Sequence, residues 1–239
     1  DNAPRESFRF IRSCSSALAP AVFDRLESRF GAPVLEAYGM TEASHQMSSS
    51  PMPPGKRIPG TVGQATGVEI AIMDMAARGQ LQKTGDIGEI VIKGENVMHG
   101  YNNNPEANAE AFVDGWFRTG DQGFLDAEGY LALTGRIKEL INRGGEKISP
   151  LEIDGILLKH PAVSEAVCFA VPDEKYGEVV HAAVVLKGDA DQETIRTYCR
   201  EQMAGFKVPD VVYIADSLPR TATGKIQRRH MVAAFAEEK

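Results

Sequence analysis

Hydrophobic residues near the start of the chain follow a helical period and then a short apolar run. The four residues that define the period are Val22, Phe23, Leu26 and Phe30. Residues 19–30 are therefore predicted to form a helix that ends at Gly31. The apolar pair at residues 34–35 predicts a strand leading into a turn at Tyr38. This order of elements indicates a fragment of an open α/β sheet.

Proline and glycine dominate residues 48–67, which predicts a subdomain boundary there. Beyond it, short runs typical of strands alternate with connections that contain glycine, and one short helix is predicted near residues 105–112. The predicted strands cover residues 69–73, 89–93, 123–125 and 130–133. This segment is predicted to form a small antiparallel β unit.

A second boundary is predicted near residues 135–138, because the remainder has a self-contained α+β pattern of roughly 100 residues, a common domain size. It contains predicted helices at 150–158 and 192–203, strands at 163–171, 179–186 and 211–215, and a basic helix from Ile226. The fold class is therefore α/β and α+β. We expect the end of an open sheet at residues 1–47, a β-rich subdomain at 48–135 and a carboxyl-terminal domain at 136–239.

Composition excludes two classes of partner. The chain has 239 residues, 43% of them hydrophobic, and its 26 basic and 33 acidic side chains give a formal net charge of −7. Such a balance gives no general attraction to nucleic acid or to an anionic membrane, so local positive charge must draw anionic substrates. No apolar run is long enough to span a bilayer.

The cysteines indicate the compartment. Cys14, Cys168 and Cys199 are far apart and form no Cys-x-x-Cys pair, which indicates a reducing environment and no structural zinc. We expect a cytoplasmic location. A peroxisomal location stays open, although the last residues given are not a Ser-Lys-Leu signal.

Candidate chemistry first appears at Tyr38-Gly39-Met40-Thr41-Glu42. The Tyr38 ring can stack on a purine, the Thr41 hydroxyl can donate to a phosphate oxygen, and the Glu42 carboxylate suits Mg²⁺. The segment follows a predicted strand, at the place where α/β sheets bind ligands. A tight turn with a surface carboxylate is an equally good interpretation of this pentapeptide alone.

Three further segments are weaker signals. Asp121 follows Gly120 and can accept hydrogen bonds from both ribose hydroxyls, although Gly-Asp is more often a simple turn. Arg136 can bind phosphate or ribose, or can form a surface ion pair. Gly144 and Gly145, flanked by cations, permit close backbone approach and can line a channel for a phosphorylated cofactor.

Residues 218–225, here called the lysine loop, read Leu-Pro-Arg-Thr-Ala-Thr-Gly-Lys and end at Lys225. Thr221, Thr223 and Gly224 are expected to keep its backbone adaptable. An ammonium group there would lower the repulsion between a carboxylate and an α-phosphate that must meet. The alternative is an exposed, solvated lysine without a role.

Taken in order, five motifs resemble those of the AMP-forming acyl-CoA synthetase superfamily. They are Tyr-Gly-Met-Thr-Glu, Gly-Glu-Ile-Val-Ile-Lys-Gly, Trp-Phe-Arg-Thr-Gly-Asp, Gly-Arg-Ile-Lys-Glu-Leu-Ile-Asn-Arg-Gly-Gly-Glu-Lys-Ile and Pro-Arg-Thr-Ala-Thr-Gly-Lys. Members form an acyl-AMP from a carboxylate and MgATP, then rotate a small mobile carboxyl-terminal domain and transfer the acyl group to coenzyme A. The resemblance implies ATP and AMP, Mg²⁺ and coenzyme A as ligands.

The resemblance also implies residue roles at the nucleotide. Tyr38 would stack on adenine, Thr41 would hold phosphate, and Asp121 with Arg136 would hold the ribose. Glu42 would bind Mg²⁺. The implied catalytic residues are Lys225, Thr41 and Glu42. The implied nucleotide-binding set is Ser16, Ala17, Tyr38, Gly39, Thr41, Asp121, Arg136 and Lys225.

Other matched residues would serve the second half of the reaction. Lys138 falls at the hinge of the mobile domain, where many members have aspartate. Gly145 would line the pantetheine tunnel, and Lys147 and Lys207 would contact the nucleotide end of coenzyme A.

The fine sequence of residues 36–47, 54–57 and 119–123 resembles the oxalate–CoA ligase group. Ser15, Ser16 and His45 are polar where a pocket for a fatty or aromatic acid is expected to be apolar. A small carboxylate, with oxalate favoured, is therefore the expected substrate, and Ser15 and His45 are its candidate contacts. His45 can equally be a structural hydrogen-bonding residue.

Two departures from the family pattern affect the expected activity. Residues 13–17 replace a glycine pair that many members use beside adenine. The phosphate loop ending in Pro-Lys-Gly, which the family places upstream of Tyr38, is absent, as is most of the large domain. With that amino-terminal part missing, we expect the chain alone to turn over slowly or not at all.

Two alternatives stay open. One keeps the chemistry and changes the acid to a hydroxycinnamate, a fatty acid or another small diacid. The other is a nucleotide- or CoA-binding module that performs no chemistry.

Overall fold

The chain divides into two compact units between Ile137 and Lys138. They are Asp1–Ile137 and Lys138–Lys239, here called the amino-terminal and carboxyl-terminal units. The computed structural model describes residues 8–222 and 224–237. Within those residues, no helix combines the length and the apolar character that crossing a membrane requires. The roles expected for the units, a large-domain portion and a mobile domain, stay predictions.

The amino-terminal unit begins with a four-stranded sheet in the order β1-β2-β3-β4. Strand β1 is parallel to β2, and the other pairs are antiparallel. The elements are β1 (Ile11–Ser13), α1 (Pro20–Phe30), β2 (Val34–Met40), β3 (His45–Ser49) and β4 (Gln64–Ala65).

The predicted first helix is confirmed as α1. Pro20 lies in its first turn, where a missing N–H costs nothing, and the helix buries Phe23. Gly31 ends it in the left-handed conformation, with its N–H bonded to the Glu27 carbonyl.

A second, antiparallel sheet follows, with strand order β5-β6-β8-β7 and β9 paired to β8. The elements are β5 (Glu69–Met73), β6 (Gly88–Lys93), α2 (Pro105–Ala111), β7 (Phe112–Val113), β8 (Trp116–Leu125) and β9 (Leu131–Arg136). One core joins both sheets of this unit, since Ile90, Ile92 and Phe117 pack in the same cluster as Tyr38 and Met47. The predicted β unit is therefore present.

The carboxyl-terminal unit is α+β. Its sheet has the order β11-β10-β13-β12, with β14 parallel to β13. The elements are β10 (Ile141–Arg143), β11 (Glu146–Ile148), α3 (Pro150–Leu157), β12 (Val163–Asp173), β13 (Gly177–Leu186), α4 (Gln192–Gln202), β14 (Val211–Ile214) and α5 (Met231–Phe235). The expected α/β and α+β fold class is confirmed.

Both faces of this sheet are covered. Ile153 and Leu157 of α3 and Ile195 of α4 share one core with the sheet. Phe169 forms a second core with Met231 of α5. Side-chain caps define the helix starts, because Ser149 accepts from the Glu152 N–H and Asp191 accepts from the Thr194 N–H.

Two local predictions were wrong, and the simple turn given as the alternative for Asp121 is not formed. Residues 38–40 belong to strand β2, and the turn begins only at the short 3₁₀ helix Thr41–Ala43. Asp121 lies inside β8 rather than in a turn. No helix begins at Ile226, which instead pairs with Arg220 across a β-bridge, and helical structure starts at Arg228–His230.

Candidate active site

Parallel pairing of β1 and β2 brings two candidate segments to one edge of the first sheet. Ser13 is level with Glu36, so the loop after β1 and the residues that follow Glu36 meet at the carboxyl ends of both strands. Ser15, Ser16 and Ala17 lie in that loop and are exposed. Ligands bind at this edge of parallel sheets.

Tyr38, Asp121 and Arg136 form a connected group. The Tyr38 hydroxyl donates to Oδ2 of Asp121 at 2.5 Å, and Arg136 Nε lies 2.8 Å from Oδ1. Pairing of β8 with β9 places Asp121 directly opposite Arg136. The Asp121 carboxylate is buried while the Arg136 guanidinium is half exposed. This arrangement fixes the carboxylate orientation and leaves a cation facing solvent beside it.

The Tyr38 ring is itself buried. Burial, and after it the negative charge of Asp121, raises the pKa of Tyr38 well above its usual range. The hydroxyl therefore stays protonated and remains a donor to the carboxylate. The ring also packs in the hydrophobic core of the unit, and its stacking on adenine stays a prediction.

The neighbouring strand leaves no room for a side chain at Gly39. A Cβ atom at this position would lie 1.6 Å from the carbonyl oxygen of His45 on β3. An irregularity in the β2–β3 register at Tyr38 and Gly39 produces this close approach. Only glycine fits, and the reason is the neighbouring strand rather than a bound ligand.

The turn after β2 carries Thr41, Glu42 and His45. Thr41 is exposed, and Oε1 of Glu42 accepts a hydrogen bond of 3.1 Å from the Tyr101 hydroxyl. The Glu42 carbonyl accepts from the Met98 N–H, which fixes the backbone. Sequence reasoning missed Tyr101, because its contact with Glu42 spans 59 residues of chain.

His45 is exposed and has a φ of +90°, an unusual value for a residue with a side chain. Ser44 before it and Ser15 in the neighbouring loop also have positive φ. Strained backbone of this kind is concentrated at binding sites. The two predicted substrate contacts, Ser15 and His45, therefore share an uncommon backbone state.

Glu36 is a buried carboxyl group at the same edge that the sequence did not single out. It is 5% exposed, and one oxygen accepts from the Gly60 N–H at 3.4 Å. Burial raises the pKa of Glu36 to about 7. No pattern in the sequence distinguishes it from a surface glutamate.

The lysine loop contains hydrogen bonds that the sequence does not indicate. Thr221 N–H donates to the Lys225 carbonyl at 2.8 Å, and its hydroxyl accepts from the Lys225 N–H at 3.1 Å. Arg220 reaches across to the Gly224 carbonyl at 2.7 Å. These bonds join the described residues before and after Thr223, and Lys225 is exposed. The expected adaptability of the backbone stays a prediction. Thr223 lies outside the described residues.

Gly144 and Gly145 form the turn between β10 and β11, with φ values of +59° and +98°. Two positive values in a two-residue hairpin turn explain why both positions are glycine. Lys147 on β11 is exposed, opposite Asn142. The turn and this lysine present open backbone and positive charge on the carboxyl-terminal unit.

Lys207, a predicted contact of coenzyme A, forms an ion pair within the carboxyl-terminal unit. Its ammonium lies 2.8 Å from both carboxylate oxygens of Glu152. Binding of a phosphate by Lys207 would therefore compete with this ion pair. Lys138, the predicted hinge residue, is exposed in the 3₁₀ helix Ile137–Glu139, at the limit between the units.

A metal ion fits this site only together with a ligand. Among residues 8–222 and 224–237, no group of three or more histidine, cysteine, aspartate or glutamate side chains is arranged to hold one. Mg²⁺ bound by one carboxylate and by substrate phosphates is the usual arrangement for nucleotide sites. Glu42 together with a bound polyphosphate would provide that arrangement, whereas Glu42 alone does not.

Comparison with known proteins agrees with this geometry. Residues 2–102 match the family model of AMP-binding enzymes, and residues 152–225 match that of the AMP-binding enzyme C-terminal domain. The chain belongs to the AMP-binding enzyme family, within the superfamily of AMP-forming acyl-CoA synthetases.

Within that family, the chain is similar to two named oxalate–CoA ligases. It is 58% identical to the one from Saccharomyces cerevisiae, and the match covers 98% of this chain and 44% of the relative. It is 55% identical to the one from Arabidopsis thaliana, and the match covers 96% of this chain and 45% of the relative. The chain thus spans less than half of each relative.

A solved structure has the same fold. ATP-bound MatB from Rhodopseudomonas palustris matches with a TM-score of 0.90 and 36% identity. The match covers 96% of this chain and 46% of MatB. It includes both units described above.

Proposed function

We propose that the protein is an ATP-dependent acid–CoA ligase whose preferred acid is oxalate. The observation that carries the proposal is the connected group of Tyr38, Asp121 and Arg136 beside the Thr41–Glu42 turn. Its aromatic ring would contact the base of a nucleotide, and its fixed carboxylate and exposed guanidinium would hold the ribose. The similarity to oxalate–CoA ligases supports the choice of reaction.

In the first step, a carboxylate oxygen attacks the α-phosphorus of ATP. The bond to the β-phosphate oxygen breaks, and acyl-AMP and pyrophosphate form. Lys225 would place its ammonium between the two anions as they meet, because opposite charge there lowers their repulsion most in the transition state. Its exposure suits this role, and the hydrogen bonds of Thr221 and Arg220 to the segment that ends at Lys225 would help to position the ammonium.

Polyphosphate charge requires further partners. Thr41 would donate its hydroxyl to phosphate oxygens, and Glu42, oriented by Tyr101, would hold Mg²⁺. When bound, that ion would neutralise part of the phosphate charge. The sequence contains no phosphate loop, so the proposed activity belongs to the whole protein, and the 239 residues alone are proposed to be inactive or weak.

In the second step, the thiol of coenzyme A would attack the acyl carbonyl carbon and AMP would leave. The turn at Gly144 and Gly145 would let the pantetheine arm approach the backbone closely. Lys147 would meet the nucleotide end of coenzyme A, and Lys207 would do so at the expense of its ion pair with Glu152. Movement of the carboxyl-terminal unit about Lys138 is part of this proposal.

Polar side chains at the sheet edge support a small dianionic acid. Ser15 and His45 would donate to the distal carboxylate of oxalate. A monocarboxylate such as octanoate would leave these donors without a partner. Losing a hydrogen bond to a charged group costs about 3 kcal/mol at most, which corresponds to roughly a hundred-fold in kcat/KM.

A substrate panel tests the proposal. The full-length protein is assayed for pyrophosphate release and acyl-CoA formation with oxalate, malonate, octanoate and coumarate. We expect oxalate to give the highest kcat/KM. An equal or better value for octanoate would contradict the polar pocket, and the absence of pyrophosphate release with every acid would favour a non-catalytic binding module. The compartment proposed is the cytoplasm.

A further inference from the structure

Arg228 is a charged side chain that the proposed site does not use. It lies three residues after Lys225, and only 14% of its side chain is exposed. Its Nε donates to Oε2 of Glu139 at 3.0 Å, and Nη2 donates to Oδ2 of Asp154 at 2.8 Å. Nη1 donates to the carbonyl oxygen of Cys168. All three guanidinium nitrogens are thus engaged inside the carboxyl-terminal unit.

The partners of Arg228 come from three separate segments. Asp154 is on α3, and its second oxygen accepts from the Cys168 N–H at 2.6 Å. Asp154 and Arg228 therefore satisfy both backbone groups, the N–H and the carbonyl, of one residue in the middle of β12. Glu139 follows Lys138 directly in the 3₁₀ helix Ile137–Glu139. One guanidinium connects the segment after Lys225 to a helix, a strand and the predicted hinge segment.

The other end of the lysine loop is anchored to the same strand. Arg220 Nη2 lies 2.5 Å from Oε2 of Glu165, which is also on β12. The loop is thus attached to β12 both before and after Lys225. A loop with two such attachments cannot drift relative to the sheet without breaking charge-assisted hydrogen bonds.

Arg229 provides a built-in comparison. It has the same side chain, follows Arg228 directly and is exposed, with its Nε bonded to the ring of the adjacent His230. If the reaction needs only positive charge near Lys225, removing either arginine should have the same effect. If it needs the loop to be anchored, only removal of Arg228 should have an effect.

We propose that Arg228 is a positioning residue that ties the lysine loop to the hinge segment, so that Lys225 and Lys138 move as one body. This proposal rests on the proposed function in one respect, namely that Lys225 acts in adenylation. Arg228 itself contacts no reacting group. Its effect on the reaction is transmitted through the backbone that connects it to Lys225.

The test compares Arg228→Gln, Arg228→Lys and Arg229→Gln in the full-length protein. Exchange of pyrophosphate into ATP, measured with oxalate and without coenzyme A, reports adenylation alone. Arg228→Gln is expected to lower kcat for exchange about a hundred-fold, because a misplacement of about 1 Å has a cost of that order. The KM for ATP is expected to stay nearly unchanged, since all of the proposed nucleotide contacts except Lys225 belong to the amino-terminal unit.

Limited trypsin digestion provides a readout that does not depend on activity. Cleavage after Lys225, followed by mass spectrometry, is expected to become several-fold faster in Arg228→Gln and to stay at the wild-type rate in Arg229→Gln. Arg228→Lys is expected to show exchange and cleavage rates between those of Arg228→Gln and the wild type. Lysine keeps the positive charge but cannot bond all three partners as the planar guanidinium does. Equal behaviour of Arg228→Gln and Arg229→Gln in exchange and digestion would overturn the proposal.

Arg228→Gln leaves Asp154 buried without a counter-charge and can therefore unfold the unit. The double variant Arg228→Gln with Asp154→Asn removes both charges and keeps the test usable. It is expected to show the same fast cleavage after Lys225, and slow cleavage in this variant would overturn the proposal. If the wild type shows no exchange with any acid, the proposed function fails, while the digestion comparison still decides on the anchor.

Discussion

Gly39→Ala perturbs the candidate site through a single methyl group. The φ angle of Gly39 is not positive, so the backbone conformation alone does not require glycine here. The added Cβ would lie 1.6 Å from the His45 carbonyl oxygen, whereas real contacts of this kind are not found below 3.0 Å. The His45 oxygen must therefore retreat, and it belongs to the backbone of β3, which cannot rotate away as a side chain can.

The cost follows from the pairing of β2 with β3. Gly39 faces Gln46 and Met40 faces His45, so separation at this point weakens the ladder at the end that carries the Thr41 turn. Overpacking of a tight contact costs about 1–3 kcal/mol, and each weakened hydrogen bond adds about 1 kcal/mol. We expect Gly39→Ala to lower the free energy of unfolding by about 3 kcal/mol.

Urea unfolding followed by tryptophan fluorescence measures this loss. Trp116 is the single tryptophan of the chain and lies on β8 of the amino-terminal unit, so its signal reports that unit. Gly129→Ala is the matched control, because Gly129 has a φ of +82° and open space where the alanine methyl group would lie. Its expected cost is about 1 kcal/mol, from the left-handed backbone alone.

The comparison of the two variants tests the reasoning. If Gly39→Ala is no more destabilising than Gly129→Ala, the close approach of β3 does not govern this position. The identity of Gly39 would then have to be explained by ligand contact.

Two further predictions concern neighbouring groups. Tyr38→Phe removes the donor to the buried Asp121 carboxylate and is expected to cost about 2 kcal/mol in the same unfolding assay; a cost indistinguishable from zero would show that Arg136 alone satisfies Asp121. Glu36 has a folded-state pKa of about 7 against an ordinary 4.5, so the unfolded state loses its proton first and wild-type stability should fall as pH rises from 4.5 to 7. Glu36→Gln should lack that decline and be the more stable protein at pH 8, and an unchanged pH profile in this variant would contradict the raised pKa.

Sequence periodicity predicted the elements whose burial follows a simple pattern. Helix α1 is an example, because its apolar spacing and the Pro20 and Gly31 signals act within one segment. The long antiparallel strands β12 and β13 were likewise predicted, since each contains an apolar run, at residues 166–171 and 182–186. In these cases local preference and tertiary packing agree.

The candidate site was harder to predict, because its contacts join distant parts of the chain. The Thr119-Gly120-Asp121 segment has the composition of a turn, yet it lies in β8, where Asp121 pairs with Arg136 of β9. The Asp121 carboxylate accepts from the Tyr38 hydroxyl, 83 residues away in the chain. The lysine loop has adaptable residues, yet Arg220 holds it to Glu165 across 55 residues. The resemblance to a family supplied the candidate site residues, whereas the contacts made by Tyr101 and Arg228 required the structure.

The proposed function requires that Lys225 assists the adenylation of a carboxylate. The most direct measurement is oxalate-dependent exchange of pyrophosphate into ATP by the full-length protein, compared with Lys225→Ala. We predict exchange by the wild type and a decrease of about a hundred- to a thousand-fold in the variant, with AMP binding retained, because a single stabilising group in the transition state is removed. Exchange that is unaffected by Lys225→Ala, or no exchange by the wild type, would contradict the account.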